Sequence, residues 1–169
     1  LCKGQYLDLE YEKHLDIDTD RYLDMIDKKT ACLFETSLRL GTTLGTDDQS
    51  QIRTLCSFGR NLGMAFQMHN DLLGIWSSGE GNKKSPYTDI RNRKKTLPVI
   101  YAIQQAKDED RATLIDIYSR VNVSSTDIDH VLDILDRTGW HIGKTAEKLK
   151  LSRTTLWRRM KKYGISRDE

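Results

Sequence analysis

An all-α fold is what this sequence predicts, and three observations carry the prediction. Proline is almost absent (2 in 169 residues) and glycine is modest (11), so little interrupts a helical backbone. Apolar residues recur at spacings of three and four through most of the chain. No stretch alternates apolar and polar residues as a half-buried strand would, and there are no internal repeats.

The elements follow in order. Helix is already under way at Gly4-Gln5-Tyr-Leu-Asp8-Leu. Thr19 and Asp20 form a plausible N-cap pair for a helix from about Arg21 to Thr43, whose apolar face holds Tyr22, Leu23, Ile26, Leu33, Phe34, Leu38 and Leu40. Gly41 to Asp48 reads as a loop. Gln49 to Trp76 is a long helix, with Gly59, Gly63 and Ala65 permitting close packing. Ser77 to Thr88 is the strongest loop signal in the chain. Pro98 suits the first turn of a helix from about Leu97 to Ala106. Asp108 to Asp110 reads as an acidic break before a helix over Arg111 to Arg120, and Val121 to Thr126 as a linker. A helix over Asp127 to Arg137, capped by Ser125 or Thr126, is broken at Thr138-Gly139-Trp140. Two short helices follow, Gly143 to Leu149 and Arg153 to Tyr163, the latter capped by Ser152 and ending at Gly164.

Composition narrows the class. Hydrophobic residues are 37% and charged residues 31%, and no apolar run approaches membrane-spanning length. Cys2, Cys32 and Cys56 have no metal-ligand spacing and fit a reducing cytoplasm. The chain begins at Leu1 rather than Met, which fits a fragment or processed piece. Net charge is only +2 but uneven: residues 137–167 carry ten Lys and Arg against one acid, Glu147, whereas residues 1–136 carry 17 against 22. An acidic body with a basic tail module is the expectation.

The chemistry of the body centres on Gly63–Trp76. Gln67, Asn70, Asp71 and Gly74 share one stripe of the helix there. Polar groups on such a stripe need a partner if buried, and a metal–diphosphate would be one. Lys28/Lys29, Lys83/Lys84 and Lys94/Lys95 could form an anion pocket, although each lysine alone reads as a solvated charge. Asp71 could hold Mg²⁺, which takes few carboxylates and bridges to phosphates.

Motif order carries a resemblance. Gly4-Gln5…Asp8-Leu9, Tyr22…Met25-Ile26…Lys29-Thr30, Phe58-Gly59…Leu62-Gly63…Phe66-Gln67, the Asp-rich position at 70–74 and Asp89…Lys94…Thr96-Leu97-Pro98 resemble the C-terminal half of a polyprenyl diphosphate synthase, of the isoprenoid synthase superfamily, over residues 1–120. The resemblance implies a helical bundle around a cavity, with Mg²⁺ and lysines stabilising a departing diphosphate while a second isoprenoid attacks the allylic cation. By position, Lys29, Gln67, Lys84 and Lys94 would bind diphosphate, and Asp71 and Asn70 the metal. Where the family pattern has three aspartates, this chain has Asn70, Asp71 and Gly74, and no first Asp-rich motif precedes residue 20. Impaired transfer is therefore expected.

The tail resembles a Fis-type DNA-binding domain. The residues are Ile134-Leu135…Thr138-Gly139-Trp-His-Ile-Gly-Lys-Thr-Ala146…Leu149-Lys-Leu-Ser-Arg153-Thr-Thr-Leu156-Trp-Arg-Arg-Met160…Tyr163-Gly-Ile165. A helix–turn–helix of this kind would place Ser152, Arg153, Thr154, Trp157, Arg158 and Lys161 toward DNA, with arginine reading guanine edges. The resemblance implies a homodimer on palindromic DNA, with a contact often made by the first helix, here Asp127–Arg137.

The expected organisation is thus a partial isoprenoid-synthase bundle at residues 1–122 and a small three-helix module at residues 123–169. The expected function is that of a polyprenyl synthase-family protein of isoprenoid biosynthesis, weakened in Mg²⁺-dependent prenyl transfer, carrying a sequence-specific DNA-binding module. The alternative is a transcriptional regulator whose body is a remnant or a prenyl-diphosphate sensor. Residues 127–137 read equally well as a continuation of the bundle or as the first helix of the module.

Overall fold

The computed structural model describes residues 1–76 and 87–139, and every regular element among them is helical. Eight α-helices occur in these residues: α1 Cys2–Tyr11, α2 Thr19–Ile26, α3 Cys32–Gly45, α4 Gln49–Trp76, α5 Thr88–Arg91, α6 Leu97–Gln105, α7 Asp108–Ser119 and α8 Ser125–Arg137. A π-helical turn, Asp27–Ala31, joins α2 to α3. Two compact units divide the chain, Leu1–Asp71 and Leu72–Glu169.

Several boundaries differ from the sequence expectation for local reasons. Asp18, not Thr19, caps α2: its carboxylate accepts from the Arg21 backbone N–H at 2.7 Å. The single helix expected over 21–43 is interrupted by the π-helical turn, and α3 continues through Gly41 to Gly45. Asp108 to Asp110 is no break but the first turn of α7, where acids favour the positive end of the helix dipole. Thr88 belongs to α5, which the sequence reading left out, and 77–86 lie outside the described residues. Ser124 caps α8 and closes a reciprocal pair with Asp127. Gly139, at φ 87°, takes the left-handed conformation that ends α8. The two helices expected beyond it, 143–149 and 153–163, lie outside the described residues.

In the first unit the π-helical turn is the hub, in contact with α1, α2 and α3. Gly4 lets α1 approach it: a Cβ at Gly4 would lie 2.2 Å from the Lys29 nitrogen. Gly63 does the same for α4, whose Cβ position is 2.6 Å from the Ala31 Cα, and Gly59 abuts the Phe34 carbonyl. Tyr22, Met25, Ile26, Ala31, Ile52 and Cys56 are buried. Leu33, Leu40 and Leu44 of α3 and Phe58, Leu62 and Phe66 of α4 stay exposed, so these helices retain an open apolar surface.

In the second unit α8 packs on α5, α6 and α7. Ile128, Val131, Ile134 and Leu135 of α8 are all buried, each worth about 1.5–3 kcal/mol of apolar burial. Val99, Ile100, Ala102 and Ile103 of α6 and Leu114 and Ile117 of α7 complete this core. Arg120 ties the α7–α8 connection together by pairing with Asp116 and Asp127, and Arg137 pairs with Asp110 at 3.2 Å.

Candidate functional site

The polar stripe of α4 is built into a hydrogen-bonded network in the first unit. Asp71 is 1% exposed. The Tyr22 hydroxyl donates to its Oδ2 at 2.7 Å, and the Gln67 amide donates to its Oδ1 at 3.0 Å. Gln67 in turn accepts from the Thr30 hydroxyl at 2.9 Å. Gln67 and Asp71 are four residues apart on one helix, which aligns their side chains. Tyr22 comes from α2 and Thr30 from the π-helical turn, where the altered spacing presents three consecutive residues to three partners. Lys28 pairs with Asp24, Lys29 with Asp8, and Thr30 with Gln67.

Lys29 and Asp8 are both largely shielded, at 24% and 19% side-chain exposure. An ammonium held in such surroundings interacts with an anion more strongly than one in bulk water. Lys29 is thus placed where an incoming anion would compete with Asp8.

Lys94 belongs to the second unit, 3.6 Å from the Asp89 carboxylate. Asp89 also accounts for the glycine at position 74. A Cβ at Gly74 would lie 2.0 Å from the Asp89 Oδ2 and 2.4 Å from its Cγ. The space an aspartate at 74 would enter is already filled by a carboxylate from α5. Tyr118 is buried as well, and burial, helped by the Asp89 charge, raises its hydroxyl pKa far above the usual tyrosine value.

The described donors do not fit a magnesium site. Asn70 and Gly74 supply no carboxylate beside Asp71, and no group of three or more His, Cys, Asp or Glu gathers among the described residues. Asn70 is half-buried one residue from Asp71. Lys84 lies outside the described residues, as do Ser152, Arg153, Thr154, Trp157, Arg158 and Lys161.

The structure thus brings Gln67 and Asp71 into one network and holds Lys29 against Asp8. Sequence reasoning gave no role to Tyr22, Thr30, Asp8 and Asp89, the partners of these groups. Tyr22 had been placed on an apolar face, and only a buried carboxylate 49 residues away reveals its hydroxyl's purpose. The helix expected to join two copies, α8, has its apolar stripe buried within the chain and turns Asp129, His130, Asp133 and Asp136 outward.

Comparison with known proteins gives two family matches. The model for Polyprenyl synthetase matches residues 1–135, and the model for Bacterial regulatory protein, Fis family, matches residues 129–163. A geranylgeranyl diphosphate synthase of Sulfolobus acidocaldarius is 32% identical over 137 residues, covering 81% of this chain and 42% of the relative. A short chain isoprenyl diphosphate synthase of Methanothermobacter thermautotrophicus is 38% identical over 117 residues, covering 69% and 36%. The crystal structure of a polyprenyl synthetase from Streptomyces coelicolor superposes with a TM-score of 0.74 at 28% identity, covering 82% of this chain and 43% of that one. The chain spans less than half the length of these relatives. No described helix is long and apolar enough to cross a membrane. With a family model matched across most of its length, and with the all-helical architecture of its solved neighbours, the chain belongs to the polyprenyl synthetase family.

Proposed function

We propose that this chain is a DNA-binding member of the polyprenyl synthetase family whose own capacity for prenyl transfer is impaired. The observation that carries the DNA-binding half is the Fis-family match at residues 129–163, coinciding with the ten-to-one excess of basic over acidic residues in 137–167. Ser152, Arg153, Thr154, Trp157, Arg158 and Lys161 are the residues assigned to the duplex. Arg153 reads base edges and the remaining cations meet phosphates. The body occupies residues 1–122 and the module 123–169, in a cytoplasmic protein that engages palindromic DNA as a homodimer.

The body's ligand in this reading is a prenyl diphosphate. The residues that the family resemblance assigns to diphosphate are Lys29 and Gln67 in the first unit and Lys94 in the second, with Lys84 outside the described residues. Lys29 binds by exchanging the Asp8 carboxylate for a diphosphate oxygen, so the anion must out-compete an existing pair. The exposed leucines and phenylalanines of α3 and α4 fit the prenyl tail. Metal support for the leaving group is weakened, because Asn70 and Gly74 are not carboxylates and Asp71 alone of the three positions is. Mg²⁺, assigned to Asp71 and Asn70 by resemblance, finds no group of three or more ligating side chains among the described residues, and no step is routed through it. That shortfall favours a second role for the body, as a sensor of prenyl diphosphate rather than a catalyst.

The experiment is a pair of assays on the purified chain. Binding to fluorescein-labelled duplex DNA is expected to weaken steeply as salt rises from 50 to 200 mM, as counterion release requires. Chain elongation of an allylic diphosphate with Mg²⁺ is expected to be undetectable. Absence of duplex binding at 50 mM salt contradicts the first half of the reading, and turnover contradicts the second.

A further inference from the structure

The π-helical turn presents Lys28 and Lys29, and each is already matched by an acid, Asp24 for the first and Asp8 for the second. The two pairs differ in kind. Lys28 and Asp24 are four residues apart along one stretch of helix, and Asp24 is 51% exposed. Lys29 and Asp8 are 21 residues apart, both largely shielded, and they join α1 to the turn. α1 has little else to hold it. Gly4 is its buried residue, while Cys2, Lys3, Gln5, Tyr6 and Leu9 are exposed. A helix of 10 residues is marginal by itself, so α1 depends on what fastens it to the turn.

We propose that Asp8 is a built-in competitor for the anion site at Lys29: it occupies the ammonium and straps α1 to the turn while the site is empty, and a diphosphate expels it and loosens α1 on binding. This rests on the reading of Lys29 as a diphosphate ligand given above. Asp8 competes from within the chain, where a tethered group reaches an effective concentration on the order of millimolar, so a dilute, weakly charged anion does not displace it. A diphosphate brings more negative charge to the same ammonium than a carboxylate does, so the exchange favours the diphosphate. Once displaced, Asp8 faces the diphosphate as a like charge and is driven from the site. α1 then keeps the close approach at Gly4 but loses the ion pair that ties it to the turn. Occupancy of the site is in this way coupled to the order of α1.

The test is calorimetric titration of the full chain with inorganic diphosphate in magnesium-free buffer, alongside hydrogen exchange of peptides covering α1 and α4. Asp8→Asn is expected to bind diphosphate about threefold to tenfold more tightly than the parent, the contribution of one partly shielded ion pair. Asp8→Ser is expected to do the same and serves should the first variant fold poorly. Saturating diphosphate is expected to lower the protection of α1 in the parent and to leave that of α4 unchanged, and Lys29→Ala is expected to abolish binding. Binding that depends on Lys29 but is unchanged or weaker in both Asp8 variants, or α1 protection that holds or rises with diphosphate, overturns the competitor role alone. A parent chain that binds no diphosphate, or binding indifferent to Lys29→Ala, overturns the diphosphate reading and this inference with it.

Discussion

Gly4→Ala sets helix propensity against packing, and the two give opposite signs. Gly4 lies inside α1, where alanine is favoured over glycine by about 0.5–1 kcal/mol. Yet its added Cβ would sit 2.2 Å from the Lys29 nitrogen and 2.5 Å from the Lys28 carbonyl carbon and the Lys29 Cα. These are backbone atoms of the π-helical turn and have no rotamer to move aside. α1 must instead retreat by more than about 1 Å, which forfeits part of every contact it makes with the turn. Overpacking of this kind costs about 1–3 kcal/mol. Retreat also draws Asp8 from Lys29. The net expectation is destabilisation of about 1–2 kcal/mol, or a melting temperature lower by about 2–8 °C in a chain of this size. Gly41 is the control, since it lies in α3 with nothing within 4 Å of its Cβ position, and Gly41→Ala should raise the melting temperature through propensity alone. The assay is thermal unfolding followed by helical circular dichroism. If both substitutions stabilise the chain, the close approach of α1 to the Lys29 turn is wrong.

Three further outcomes follow from individual groups. Tyr22→Phe removes a donor from the buried Asp71 carboxylate and should cost about 1.5–3 kcal/mol in urea unfolding; no loss would mean the carboxylate does not depend on that hydroxyl. Tyr118→Phe should stabilise by about 1 kcal/mol, because among the described residues its buried hydroxyl has no hydrogen-bond partner; a loss of stability would show that it has one. Asp127 is held below its usual pKa by hydrogen bonds from the Ser124 backbone and hydroxyl, then by Arg120. Its contribution is therefore present above about pH 4 and lost as pH falls through the lower folded-state value. Between pH 6 and pH 3 the urea midpoint of Asp127→Asn should fall less than that of the parent, and equal falls would contradict the assignment.

Helix existence was largely legible in the sequence because it depends on local periodicity and caps. α4 has the expected bounds, Gln49–Trp76, since a long amphipathic run with no proline leaves no alternative. α6 begins where Pro98 permits, and α8 ends at Arg137, two residues before the left-handed Gly139. The π-helical turn was not legible, because Asp27 to Ala31 continue a helical pattern and only packing against α1, α2 and α3 selects the wider turn. The candidate site was half legible. Gln67 and Asp71 fall on one stripe by spacing, but Tyr22 and Thr30 reach them across 49 and 37 residues of chain. Gly74 read as a lost carboxylate, and the reason for it, the Asp89 carboxylate from α5, becomes visible only in three dimensions.

The central claim is that one chain joins a synthase-family body to a sequence-specific DNA reader. Its most direct measurement is the affinity of the full chain for a duplex selected from a random library and for a scrambled duplex, at one salt concentration, for the parent, Arg153→Ala and Lys29→Ala. Arg153→Ala should lose about tenfold to a hundredfold of the preference for the selected duplex. Lys29→Ala should leave that preference unchanged. A parent chain that binds both duplexes alike, or a preference that falls with Lys29→Ala and survives Arg153→Ala, would contradict the account.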